Sequence, residues 1–230
     1  MPFITRDDHV QIYYEERGSG LAVLLSHGFG ANLGMWQRQM DVLADRYHLI
    51  AWDVRGHGRS DSPENPALYS HEAAVADMAA VLDACGVERA VIGGLSLGGF
   101  ISLAFHLAHP DRTLALMLFD TGPARRKAKS SANTIATEGP GLNGLERARR
   151  GMLEQEDDAQ IIASLPSIRV PTLVLCGAED ERFLAATDFL VARIPRAKRV
   201  ILDGAGHVSN LDNPEGFNTA VRSFLDQIAS

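Results

Sequence analysis

The residue best suited to act as a nucleophile is Ser96, which lies at the centre of Gly94-Leu95-Ser96-Leu97-Gly98. The spacing G-x-S-x-G is typical of a serine held on a very tight turn between a strand and a helix. The backbone of such a turn is strained, so the positions two residues away must lack bulky side chains. The pattern predicts that the Ser96 hydroxyl stands above the carboxyl edge of a sheet. There the start of the helix offers backbone N–H groups to a developing oxyanion.

The residues around Ser96 fit the strand and helix that this turn requires. Ala90–Gly94 is a run of small and apolar residues, and Leu97–Ala108 has helical spacing. Gly99 would let this helix pack close to the sheet. An inert serine in a glycine-rich turn is the alternative, and it is disfavoured because suitable partner residues lie downstream.

The remaining apolar runs predict an α/β fold with a mostly parallel, twisted sheet of about eight strands. Continuous apolar runs are typical of strands that are buried on both faces, and they alternate here with amphipathic helices. An antiparallel hairpin is expected at the N-terminal edge. The predicted strands are 3–5, 11–16, 21–25, 48–52, 90–94, 113–119, 170–176 and 199–202. The predicted helices are 35–44, 70–82, 97–108, 145–153, 159–165, 183–194 and 214–228.

Residues 121–169 differ in character from the rest of the chain. We interpret residues 1–230 as a single domain with a core of 1–120 and 170–230. The segment 121–169 is then a short lid inserted over the carboxyl edge, where such sheets bind ligands. Residues 124–144 are polar and rich in glycine, so we expect them to be partly disordered. The basic residues 125–129 are interpreted as a solvated face.

Bulk properties argue against several classes of function. The net charge of −7 argues against nucleic acid or anionic membrane as a partner. The N-terminus has no secretion signal, and no run approaches the roughly 20 apolar residues that span a bilayer. Cys85 and Cys176 are interpreted as buried free thiols. A cytoplasmic enzyme without a metal or organic cofactor is expected, and its oligomeric state is left open.

Five motifs together resemble the α/β-hydrolase fold superfamily, in the branch of small bacterial esterases, enol-lactonases and cofactor-free haloperoxidases. The resemblance covers nearly the whole chain, and its order of serine, acid and histidine matches that superfamily. The motifs are Ser26–Gly30 (SHGFG), Asp53–Ser60 (DVRGHGRS), Gly94–Gly99 (GLSLGG), Gly177–Asp180 (GAED) and Gly204–His207 (GAGH).

The resemblance implies a Ser-His-Asp triad. Ser96 would be the nucleophile, His207 its general base, and Asp180 the carboxylate that orients His207. Two other carboxylates remain open as the acid. Glu179 stands beside Asp180, and Asp120 follows the strand at 113–119, where some relatives place this residue.

The resemblance also implies an oxyanion hole formed by the backbone N–H groups of Phe29 and Leu97. The candidates for lining the substrate pocket are His27, Gly28, Trp36 and Asp120, and Met35 could join Trp36 there. We favour a supporting role for His27, which would tie its loop in place. Trp36 could equally pack its own helix. Arg55, His57 and Arg59 are interpreted as parts of a structural turn, and the other histidines as structural residues.

The implied activity is hydrolysis of small to medium carboxylic esters through a covalent acyl-enzyme. A lactonase or a C–C bond hydrolase would use the same triad. Some relatives keep the triad but act as small-molecule receptors with slow or single turnover. A short polar lid fits that role less well, because it offers little apolar surface to a partner. Haloalkane dehalogenase and epoxide hydrolase chemistry is disfavoured, because those relatives have aspartate at the position of Ser96.

Overall fold

A twisted eight-stranded sheet runs through the centre of the protein. The computed structural model describes residues 2–123, 142–153 and 158–229. The strands are β1 (Phe3–Thr5), β2 (Gln11–Arg17), β3 (Leu21–Ser26), β4 (Tyr47–Trp52), β5 (Ala90–Leu95), β6 (Thr113–Phe119), β7 (Thr172–Gly177) and β8 (Ala197–Leu202). Their order is β1-β2-β4-β3-β5-β6-β7-β8. Strand β2 is antiparallel to both of its neighbours, β1 and β4, and the other neighbouring strands are parallel. The predicted strands and the antiparallel edge are confirmed.

Helices cover both faces of the sheet. They are α1 (Gln37–Leu43), α2 (His71–Ala84), α3 (Leu97–Ala108), α4 (Leu142–Leu153), α5 (Asp158–Ser164), α6 (Glu181–Arg193), α7 (Ser209–Asp212) and α8 (Pro214–Ala229). Side chains of α2, α3 and α6 bury one face, and side chains of α1 and α8 bury the other. The seven predicted helices are present, and Ser70 caps α2 by accepting a hydrogen bond from the N–H of Ala73. The four-residue α7 was not predicted.

The sheet order reverses between β3 and β5, because β4 lies on one side of β3 and β5 on the other. Ligands bind at such a reversal in open α/β sheets, outside the carboxyl ends of the strands. Ser26 pairs with Gly94 in neighbouring strands. The loop after β3 and the turn after β5 therefore leave the sheet at the same level, and the fold brings the motif 26–30 beside Ser96.

The proposed lid is only partly within the described residues. Residues 124–141 lie outside them. These residues make up most of the segment 124–144, which we expected to be partly disordered. Residues 142–144 form the first turn of α4, which begins three residues before the predicted helix 145–153. Within the described residues, no helix is both long enough and apolar enough to cross a membrane. Cys85 and Cys176 are free thiols, with Cys176 buried and Cys85 half-buried.

A buried ion pair holds the loop after β4 against α2. The Arg55 guanidinium donates from Nε and Nη2 to the two carboxylate oxygens of Asp77, at 2.7 and 2.8 Å. Both side chains are almost completely buried. Arg6 donates to the same Asp77 carboxylate, and Asp8 accepts from Nη1 of Arg55. The pair therefore supports the loop structurally, as the interpretation of Arg55 as part of a structural turn requires.

We expect Asp77→Ala to lower the free energy of unfolding by about 3–5 kcal/mol, because the Arg55 charge would stay buried without its carboxylate. Urea unfolding at pH 7 measures the change. Asp83→Ala is the matched control, because Asp83 pairs with Arg112 at the surface of the same helix. Removal of that exposed pair should cost less than about 1 kcal/mol. Equal losses in the two variants would contradict the structural role of the buried pair.

Candidate active site

Ser96 occupies a strained turn between β5 and α3. Its φ of 55° and ψ of −112° lie in a region that non-glycine residues rarely adopt. A Cβ on Gly94 would lie 2.4 Å from the carbonyl carbon of Gly98, and a Cβ on Gly98 would lie 2.1 Å from the Ser26 carbonyl oxygen. A Cβ on Gly99 would lie 2.5 Å from the Thr121 side chain. The three glycines therefore allow the close contacts that hold Ser96 in this conformation.

The structure brings Ser96, His207 and Asp180 together in a hydrogen-bonded chain. His207 Nε2 lies 3.1 Å from Ser96 Oγ, and His207 Nδ1 lies 2.7 Å from Asp180 Oδ2. The Asp180 side chain is 5% exposed and the His207 side chain is 41% exposed. A buried carboxylate at Nδ1 places the proton there and leaves Nε2 free to accept a proton from the serine hydroxyl.

The histidine reaches this position on the loop after β8. A Cβ on Gly177 would lie 2.3 Å from the carbonyl oxygens of Ala205 and Gly206. Glycine at the end of β7 thus lets the histidine loop approach the acid loop. The Gly206 N–H donates to the Asp212 carboxylate at 2.9 Å, which anchors the loop from α7.

Asp120 does not hydrogen-bond His207, although it was one candidate for the acid. Its carboxylate is fully buried and accepts hydrogen bonds from the Gly177 N–H at 2.8 Å and the Ser209 hydroxyl at 2.5 Å. Asp120 therefore ties the acid loop to the segment that follows His207. Glu179, the other candidate, is exposed to solvent. The geometry favours Asp180 over both.

His27 ties the loop after β3 to the loop after β4. Its Nε2 accepts from the Val54 N–H at 3.0 Å, and its Nδ1 donates to the Gly28 carbonyl at 2.7 Å. Complete burial lowers the pKa of His27 to about 4, so the ring is neutral at pH 7. This arrangement agrees with the supporting role that we favoured for His27. Phe29, which follows in the same loop, packs the edge of its ring against His57.

The residues that line the cavity beside Ser96 differ from those predicted from the sequence. It has a volume of about 510 Å³ and is mostly apolar. Its described lining consists of Ser96, Leu97, Phe100, Thr121, Gly122, Pro123, Ile162, Glu181, Arg182, Phe183, Ala185, Ala186 and Phe189. The α6 residues in this set were missed. Their only sequence signal is their position on the helix that begins directly after Asp180.

None of the predicted pocket residues His27, Gly28, Trp36 and Asp120 is in that lining, which corrects the expectation. Trp36 is fully buried between Phe119 and Phe217 in the core beneath α8. Met35 belongs to the same core. Gly28 lies against the turn instead, since a Cβ there would be 3.6 Å from the Ser96 Cβ. Trp36 therefore packs its own helix, the alternative that the sequence left open.

Three potential metal ligands cluster around the carboxylate of Asp180. One ligand atom from each of Asp120, Cys176 and Asp180 lies within 4.8 Å of the other two. Burial raises the pKa of the Cys176 thiol to about 12, so it is protonated at neutral pH and is a poor ligand. The two carboxylates already accept hydrogen bonds from Ser209, Gly177 and His207. The cluster therefore fits a hydrogen-bonding role better than a metal site.

Comparison with known proteins agrees with the fold. The sequence model of the α/β-hydrolase fold family matches residues 22–157. The chain is 30% identical to a protein of Azorhizobium caulinodans named "Putative carbamate hydrolase RutD", over 99% of each chain. It is 27% identical to 3-oxoadipate enol-lactonase 2 of Acinetobacter baylyi, over 89% of this chain and 88% of the lactonase.

A solved structure of similar shape belongs to an esterase. The thermophilic esterase of Thermogutta terrifontis superposes with a TM-score of 0.78 at 26% identity, over 99% of this chain and 98% of the esterase. The similar proteins thus include a named lactonase and a named esterase of nearly the same extent as this chain.

We expect the free energy of unfolding to depend on pH through the ionisation of Asp120. Burial raises the pKa of its carboxyl from the ordinary 3.8 to about 6. A carboxyl whose pKa is raised on folding contributes stability below about pH 4, and this contribution is lost as the pH rises to about 6. Asp120→Asn abolishes the titration, and its amide can still accept from Gly177 and donate to Ser209. As the pH rises from 4 to 7, the free energy of unfolding of the variant should increase by up to about 3 kcal/mol relative to that of the wild type.

Urea unfolding of both proteins at several pH values measures this difference. Asp83→Asn serves as an exposed control, because it removes a carboxyl at the surface. A difference between Asp120→Asn and the wild type that stays constant from pH 4 to 7 would show that Asp120 does not titrate in this way.

Proposed function

The chain belongs to the α/β-hydrolase fold family, and on this premise we propose that it is a serine hydrolase that cleaves small to medium carboxylic esters. The observation that carries the proposal is the pair of hydrogen bonds of His207, to Ser96 Oγ at 3.1 Å and to Asp180 Oδ2 at 2.7 Å. A serine hydroxyl is a weak nucleophile at neutral pH, and a base at this distance is what activates it.

The proposed reaction has two steps. Ser96 Oγ attacks the ester carbonyl carbon while His207 Nε2 takes the hydroxyl proton. The alcohol then leaves with that proton, and the acyl group remains on Ser96. Water attacks the acyl-enzyme with His207 again as the base, which releases the acid and restores the serine. Asp180 stabilises the imidazolium that forms in each step.

In this proposal the tetrahedral oxyanion is bound by the backbone N–H groups of Leu97 and Phe29. Leu97 is the first residue of α3 and lines the cavity, so its N–H lies at a helix N-terminus next to Ser96. Phe29 follows Gly28, which lies against the turn. Donors of this kind typically contribute on the order of 10²–10³ in rate each.

Apolar walls support an uncharged acyl or alcohol group as the bound part of the substrate. Aromatic and aliphatic side chains dominate the described cavity lining, which includes Phe100, Ile162, Phe183 and Phe189. Ile162 comes from α5, within the insertion 121–169 that we propose as a lid. The volume of about 510 Å³ is in the range of pockets for small organic molecules.

A lactonase is the second candidate, and the similar enol-lactonase of Acinetobacter baylyi supports it. The same serine would open a cyclic ester, and both halves of the product would then remain one molecule. A C–C bond hydrolase would also use this triad. A small-molecule receptor with single turnover is the candidate of another class, and the amount of product formed per protein distinguishes it.

We expect Ser96→Ala to lower kcat on p-nitrophenyl acetate and butyrate by at least about 10³-fold, because it removes the nucleophile. Release of p-nitrophenol over many turnovers measures the activity. Ser102→Ala is the matched control, because Ser102 is a buried serine of the same helix whose hydroxyl donates to the Gly98 carbonyl. That variant should retain turnover.

Two outcomes would contradict the esterase proposal. Turnover that survives in Ser96→Ala would exclude Ser96 as the nucleophile. Release of one equivalent of p-nitrophenol followed by arrest would favour the receptor. If the wild type does not act on these esters, a series of lactones tests the second candidate with the same pair of variants.

A further prediction distinguishes the two buried carboxylates. Asp180→Asn should lower kcat by roughly 10³–10⁴-fold, because the amide cannot hold His207 in the required tautomer. Asp120→Asn keeps its hydrogen bonds to Gly177 and Ser209, so its loss should be far smaller. Steady-state kinetics on the same esters compares them. A larger loss in Asp120→Asn than in Asp180→Asn would assign the acid to Asp120.

A further inference from the structure

The imidazole of His207 lies against the ring of Phe183. The two ring centroids are 4.9 Å apart and the planes differ by only 16°, so the rings are stacked. Phe183 lies three residues after Asp180, and its N–H donates to the Asp180 carbonyl at 2.9 Å. One short segment therefore supplies both the carboxylate at the edge of the imidazole and the aromatic ring on its face.

The hydrogen bonds of His207 leave one motion of the ring unrestrained. Both Nδ1 and Nε2 bond within the ring plane, to Asp180 and to Ser96. These contacts fix the two nitrogens, but the ring can still tilt about the line that joins them. The side chain is 41% exposed, so general packing does not prevent that tilt. A parallel ring against the face of the imidazole opposes it.

The Phe183 ring can also stabilise the positive charge that His207 acquires during the reaction. In the proposed mechanism His207 becomes an imidazolium, and the face of an aromatic ring attracts a cation. The described charged groups near His207 include the carboxylates of Asp180 and Asp120, and that of Asp212, which accepts from the Gly206 N–H. Glu181 and Arg182 line the cavity, and the Arg182 guanidinium lies 5.2 Å from the Phe183 centroid. Arg182 is a cation on the same aromatic ring, so the effect of Phe183 on the imidazolium should be modest.

From these contacts we propose that Phe183 is a positioning residue for His207, in addition to its contact with the cavity. The proposal rests on the proposed serine hydrolase activity, and it deepens that function at the same site. It assigns to Phe183 the orientation of the imidazole and stabilisation of its charged form. The contact couples the pocket wall on α6 to the base of the reaction, because the same ring lines the cavity.

The test compares Phe183→Leu, Phe183→Tyr and the wild type on p-nitrophenyl acetate. Leucine keeps an apolar wall but removes the aromatic face, so kcat should fall by about tenfold. The midpoint of the acidic limb of kcat/KM should also move to lower pH by about half a pH unit, because the imidazolium loses its aromatic partner. Tyrosine keeps the aromatic face and should restore most of kcat and the wild-type midpoint.

Phe189→Leu is the matched control. Phe189 lines the same cavity from the same helix, but its ring contacts Arg193 and makes no described ring contact with His207. This variant should raise KM for longer acyl chains and keep the wild-type pH midpoint. Thermal unfolding of each variant identifies any that fail to fold.

The outcomes separate this inference from the proposed function. If the wild type turns over and depends on Ser96, but Phe183→Leu matches Phe189→Leu in kcat and in pH midpoint, Phe183 is a pocket wall only and the inference is wrong. The inference is also wrong if Phe183→Tyr is as impaired as Phe183→Leu. If the wild type shows no turnover that depends on Ser96, the proposed function itself fails.

Discussion

The structure of the site depends on one strained turn. Ser96 has a positive φ, and this conformation persists because β5, α3 and the end of β3 pack so closely that neighbouring positions have no room for a Cβ. The strain places a hydroxyl at the point where the sheet order reverses. The other parts of the site, the histidine loop, the acid loop and the loop after β3, are arranged around that hydroxyl.

Buried polar groups connect those loops to one another. Asp120 receives hydrogen bonds from the acid loop and from Ser209, which follows the histidine. His27 connects the loops after β3 and β4, and Arg55 connects the latter to α2 through Asp77. Each of these groups is satisfied by a specific partner, because an unpaired polar group would be costly at such burial. Loops that are separate in sequence are thereby held in fixed relation around Ser96.

The helix after the acid loop has two roles in the site. Asp180 lies just before α6, and the helix then contributes Phe183 to the face of His207 and further side chains to the cavity wall. A change in this helix would therefore affect substrate contact and the orientation of the base together. The described lining also includes residues from the start of α3 and from the segment after β6.

The amino-acid sequence by itself determined the strands, the seven predicted helices and the motif around Ser96, because these depend on local periodicity and on glycine spacing. Its resemblance to the α/β-hydrolase fold superfamily also pointed to His207 as the base, and it left Asp180, Glu179 and Asp120 as candidates for the acid. Only the tertiary structure decided which carboxylate meets His207, that Trp36 belongs to the core, and that Phe183 stacks on the imidazole. Such contacts join residues that are far apart in the chain, or they depend on the direction of a side chain. Local patterns of residue type determine neither the long-range contacts nor the side-chain directions.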